Sequence, residues 1–245
     1  MAPSCSTDLL RLEARSRLEN MSRKTLLATL VVSFAILLSW PAAAGVEVYS
    51  AMGIDKGRVI SGTQTSAQVL PGEGKQTVCL VAYMSGKREK TAAVKLRLAV
   101  LEERDAGLET IWEQDFSVKY DGQAGTGDLQ LFDLDRDGQS EMIVTFELFS
   151  DPLIRQRFGE VIMWEDDGFK TVWSGPFEYD ATKAVREVPA ERRDRFTREV
   201  DLASTLRTRG VTLFFHKTMI AVAGERLAEP KVVEETFPLR KRLNF

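Results

Sequence analysis

Phe132-Asp133-Leu134-Asp135-Arg136-Asp137-Gly138-Gln139-Ser140-Glu141-Met142-Ile143-Val144 joins two short apolar runs, 129–132 before it and 141–148 after it. Both runs are the length of a strand, are rich in β-formers, and contain no helical period. The stretch therefore reads as strand, acidic loop, strand. Within the loop, carboxylates fall at every second position, then Gly138, then Glu141 three residues on. A chain curling round a cation aims Asp133, Asp135 and Asp137 at it and turns Leu134 and Arg136 away. Gly138 supplies the positive φ that a sharp reversal needs. The main-chain carbonyl of Gln139 then faces the ion and Glu141 closes the site. Such an all-oxygen set suits calcium, which takes about six to eight oxygens. Without a cation the four acidic groups repel one another. A metal-free Asp-Gly hairpin turn is the plainer alternative, although such a turn needs only one or two acidic residues.

The loop is not an EF-hand. Counting from Asp133, the twelfth position, where that motif has its glutamate, is Val144. Its pattern, Asp-x-Asp-x-Asp-Gly-x-x-Glu between strands, instead resembles the calcium loops of FG-GAP/VCBS-type repeats. The resemblance covers residues 128–175 and implies a propeller-blade-like unit with strands over 129–132, 141–146, 160–164 and 169–173. It also implies calcium held by Asp133, Asp135, Asp137, the Gln139 carbonyl and Glu141. A weak internal repeat points the same way. Segments 101–112 and 164–173 each run strand, acidic turn with Gly, strand ending in Trp, with Gly107 and Gly168, and Trp112 and Trp173, 61 residues apart. A fainter third copy starts at Gly210. The chain departs from that family in having a single loop of the full pattern. The roughly 200 residues after the N-terminal segment hold at most about four blades, the lower limit for closing a ring. A β-sandwich is therefore the alternative architecture.

Outward from the loop, the chain reads as an antiparallel all-β domain over 46–245. Strands are expected over 76–84, 93–102, 108–113, 129–132, 141–148, 160–164, 169–174, 211–216, 219–223 and 232–238. Lys95-Leu96-Arg97-Leu98-Ala99-Val100 shows the period-2 alternation of a half-buried strand. One surface helix is expected around 189–206, after Pro189, because Phe196, Val200 and Ala203 recur at helical spacing among mixed charges. Those charges read as a solvated face.

Residues 1–45 read as an N-terminal extension and signal peptide: Ser22-Arg23-Lys24, an uncharged run from Thr25 to Trp40, and an Ala-x-Ala site ending at Ala44. Sixteen uncharged residues fall short of the roughly 20 of a spanning helix, so no stable membrane span is expected after processing. Met21 directly precedes the basic residues and is the expected start of translation. An exported protein, periplasmic or secreted, follows. Of the two cysteines only Cys79 lies beyond the signal, within Val78-Cys79-Leu80-Val81. It is expected to be a buried, inert thiol.

The 245 residues carry 33 basic and 36 acidic side chains, a net charge of −3, which gives no overall support to nucleic-acid binding. The single histidine, His216, excludes a zinc site with two histidine ligands. It stands near a hairpin end without a nucleophile turn and is expected to be a packing residue. Trp112, Trp164 and Trp173 sit at strand positions and are expected in the core. No catalytic residues are assigned. The leading reading is an exported, non-enzymatic, calcium-binding β protein that scaffolds an interaction with an unknown protein or glycan partner. A homodimer is one way of stabilising a lone blade-like unit. The alternative is a secreted or periplasmic hydrolase acting on carbohydrate or phosphate, which clustered carboxylates round a cleft away from Asp133 would favour.

Overall fold

A computed structural model describes residues 44–72, 74–86, 93–184, 188–208 and 212–238. The signal-peptide reading falls almost wholly outside them, and the described residues from 46 onward form one compact unit. Helix α1 (Ala44–Ala51) leads through a 3-10 turn (Lys56–Arg58) into β1 (Val59–Ala67), β2 (Gln76–Ser85), β3 (Ala93–Arg104) and β4 (Gly107–Asp115). A single helical turn, α2 (Phe116–Lys119), carries the chain to β5 (Ala124–Phe132), β6 (Glu141–Asp151), β7 (Ile154–Glu165), β8 (Gly168–Asp180) and β9 (Arg195–Val200). Helix α3 (Leu202–Arg207) and the strands β10 (Thr212–Val222) and β11 (Glu225–Pro238) complete the described fold. Among the described residues no helix is long and apolar enough to cross a membrane.

The protein is all-β and antiparallel. One sheet runs β1-β2-β3-β4 and the other β11-β10-β9-β8-β7-β6-β5. The expected four strands of the blade-like unit are β5 to β8, consecutive as predicted, but the sheet continues through β9, β10 and β11. The two sheets pack face to face, which is the sandwich alternative. Val78, Leu80 and Ala82 of β2 and Leu96, Leu98 and Val100 of β3 meet Leu129 of β5, Met142, Val144 and Phe146 of β6, and Ile162 of β7 in one core. Except for Leu129, these residues share the even-numbered face of strands whose side chains alternate.

The opposite faces are covered too. Cys79, Val81, Ala99 and Leu101 pack under Val48, Tyr49, Met52 and Ile54 of the α1 segment. This is why β2 reads as an unbroken apolar run: both its faces are buried. Cys79 is 1 % exposed, and burial pushes its thiol up to about 12, so it is inert as expected. On the far face of the seven-stranded sheet, Ile143, Val161, Trp173, Leu213 and Phe215 form a third cluster, with Leu202 of α3 and Phe237 of β11 against it.

The two segments 61 residues apart both form hairpins with a bulge on the second strand. In β3–β4, Val100 pairs with Trp112 and Leu101 with Thr110, so Ile111 is bulged out. In β7–β8, Val161 pairs with Trp173 and Ile162 with Thr171, so Val172 is bulged at the same place. The two copies lie in different sheets.

The helix expected around 189–206 is corrected. Ala190–Arg192 is a 3-10 turn, 195–200 is the strand β9, and only Leu202–Arg207 is helical. Helical spacing of Phe196, Val200 and Ala203 competed with a period-2 pattern of Phe196, Arg198 and Val200, and strand pairing on both sides decided it. Arg198, 9 % exposed, belongs to the buried face because Glu235 takes its Nε at 2.8 Å. The predicted strands 211–216 and 219–223 are one strand, since Lys217 and Thr218 pair across to Arg198 and Thr197 without a turn.

Candidate metal centre

The acidic loop hangs between β5 and β6 from an apolar anchor. Leu134 is fully buried in the cluster with Ile143, Val161, Trp173, Leu213 and Phe215. Arg136 (φ 60°) and Gly138 (φ 90°) reverse the chain, and the Ser140 N–H donates to the Gln68 carbonyl at 2.7 Å, tying the loop to the end of β1.

Asp133, Asp135 and Glu141 come together, with one carboxylate oxygen from each lying within 4.8 Å of the others. Glu141 is 2 % exposed and Asp135 9 %. At such separations two ionised carboxylates repel by about 3–4 kcal/mol at an effective dielectric constant of about 20. Glu141 registers this. Burial pushes its carboxyl up to about 8, with Asp135, Asp137 and Asp133 adding to the rise, while the Leu134 N–H donating to its Oε2 at 2.5 Å opposes it.

Asp137 stands outside the group of three. Its Oδ1 accepts from the Gln139 N–H at 2.8 Å and its Oδ2 from Gln139 Nε2 at 3.1 Å. The Asp137 N–H donates to Asp133 Oδ1 at 3.1 Å, and the Gly138 N–H to Asp133 Oδ2 at 3.1 Å. Gln139 contributes a further feature: its side-chain Oε1 is buried without a hydrogen-bond partner among the described residues. A buried carbonyl oxygen of that kind is what a hard cation takes. The donor set is wholly oxygen, so it fits calcium or magnesium and not the nitrogen and sulfur preferences of zinc or copper.

His216 lies on β10, 45 % exposed at the side chain, with Nε2 3.3 Å from Asp201 Oδ2. Asp201 is also the cap of α3, accepting from the Ser204 N–H at 3.0 Å. Trp173 is core, whereas Trp112 and Trp164 are half-buried and pack against Phe169 at 4.8 and 5.1 Å.

One polar centre has no counterpart in the sequence reading. Glu160 of β7 is fully buried, and its Oε2 receives Lys119 Nζ at 2.8 Å, Thr171 Oγ1 at 2.7 Å and Gln114 Nε2 at 3.2 Å. The Tyr120 hydroxyl donates to Oε1 at 2.5 Å, and burial followed by the neighbouring glutamate raises that phenol above its usual value. In the sequence Glu160 merely opens an apolar run, and its partners are 11 to 46 residues away. No local signal could have identified it.

No family model, no curated protein and no solved structure matches this chain.

Proposed function

We propose that the β5–β6 loop binds a hard divalent cation, calcium foremost, and that the protein is an exported, non-catalytic β scaffold whose loop the ion holds in place. The observation that carries this reading is the convergence of Asp133, Asp135 and Glu141 within 4.8 Å, with Glu141 buried. Unneutralised, that arrangement opposes folding; a doubly charged ion turns it into a tie between the end of β5 and the start of β6. The Gln139 main-chain carbonyl is the expected fourth oxygen, its buried Oε1 is a second one at the same residue, and Asp137 orders the turn through the Gln139 N–H. The resemblance to FG-GAP/VCBS loops and the signal-like residues 22–45 support calcium and export. Extracellular calcium sites function at affinities as weak as about 10⁻⁴–10⁻³ M. Titration calorimetry of the protein with calcium should show one site. Asp135→Asn and Glu141→Gln should each weaken it at least tenfold. Equal calcium uptake by both variants and the parent would refute the assignment.

A further inference from the structure

We propose that the protein binds an extended peptide segment, an apolar anchor side chain beside a cationic one, in the opening between β8 and β9. This goes beyond the cation reading and does not depend on it. The ladder joining β8 to β9 has three pairs only, Glu178 with Thr197, Tyr179 with Phe196 and Asp180 with Arg195. Beyond Thr197, β9 continues against β10, where Arg198 faces Lys217, Glu199 faces His216 and Val200 faces Phe215. The stretch of β8 that would have continued the ladder pairs only with β7, Pro176 with Phe158 and Gly175 with Gly159. The sheet is therefore open along one line, and a cavity of about 380 Å³ lies there. That volume is within the roughly 300–1,000 Å³ of small-ligand pockets.

The chemistry of the lining selects the occupant. Phe132, Ile143, Phe177, Val200 and Leu202 give it an apolar surface. Its two cations are already engaged. Arg157 is paired with Asp128. Arg198 is paired with Glu235 at 2.7 Å, donates across the opening to the Pro176 carbonyl, and lies over the Trp173, Phe196 and Phe215 rings. Its two carboxylates, Glu178 and Glu199, are exposed and form no ion pair with the described residues. The charge left for a ligand is negative. The edge of β9 left without a β8 partner beyond Thr197 recognises a main chain, an apolar floor recognises one side chain, and free carboxylates recognise a neighbouring cation. An extended basic–apolar peptide satisfies all three, whereas a compact ring-shaped ligand uses only the floor.

The test uses five-residue peptides, acetyl-Thr-Lys-X-Lys-Thr-amide with X as Leu, Ile, Val, Phe or Met, added to the isotope-labelled protein. Saturable amide shifts centred on Glu178, Val200 and Leu202 are expected for at least one of them. Replacing X by Ser, methylating the backbone nitrogen of X, or replacing both lysines by glutamates should each weaken binding tenfold or more. Because these changes are made on the peptide, folding of the protein is not at issue. Glu199→Lys should weaken binding as well, while Glu229→Lys on β11 should not. No saturable shift at millimolar peptide would overturn the proposal. So would equal affinity for the N-methylated or serine peptides, or shifts confined to the acidic β5–β6 loop.

Discussion

A carboxylate as buried as Glu141, 2 % exposed, ionises readily only where something positive replaces the water it has lost. Its folded value of about 8 stands above the usual 4.5. In the cation-free protein its contribution to stability is thus fully present below pH 4.5 and is lost as pH rises through 8. Between those limits the native state holds a proton that the unfolded chain has released, which costs up to about 1.4 kcal/mol per pH unit. Urea unfolding in chelator at pH 5, 6.5 and 8 should show that decline, and Glu141→Gln should flatten it while raising stability at pH 8. A parent protein equally stable at pH 5 and pH 8 would contradict it. The alternation of acidic residues was legible in the sequence because a loop's ligand spacing is local. The division of labour was not. That Leu134 is the buried anchor depends on β7, β8 and β10, which reach the loop only in the folded chain.

At the scale of elements, the strands with clean alternation or continuous apolar runs were legible: β2, β3 and β6 lie within a few residues of where their side chains predict them. β1, with Ser, Gly, Thr and Gln along it, carries little apolar period because it is a half-exposed edge strand. β9 carried competing periods, and its pairing with β10 decided the outcome. The packing of the large sheet depends on a residue whose importance is invisible in sequence. Gly159 faces Gly175 across β7 and β8, and a Cβ there would collide with the Phe177 ring and sit 3.1 Å from the Val144 carbonyl oxygen. Gly159→Ala should destabilise the protein by about 1–3 kcal/mol through overpacking, as read from the urea midpoint. A midpoint unchanged or raised would show that Phe177 gives way freely.

For the whole molecule, an antiparallel all-β domain was legible, and so was the choice between blade and sandwich, but not its outcome. Sheet membership is a long-range property: the two segments 61 residues apart are each a bulged hairpin, yet one lies in each sheet. The sheets are joined by their shared apolar core and by Glu160, which draws Gln114 and Lys119 from the smaller sheet's side of the molecule. Lys119→Met leaves that buried carboxylate without its cation and should cost about 3 kcal/mol or more. The double variant with Glu160→Gln should cost less than the two single changes summed, and strict additivity in denaturant titrations would contradict the coupling. The central question is whether the β5–β6 loop holds an ion in the native state and not in the unfolded chain. The most direct test is thermal melting of the protein at pH 8, first in chelator and then in calcium about 100-fold above the dissociation constant. The melting temperature should rise by about 5–10 °C for a domain of this size. The same melting temperature in chelator and at that calcium concentration would contradict ion binding by the loop.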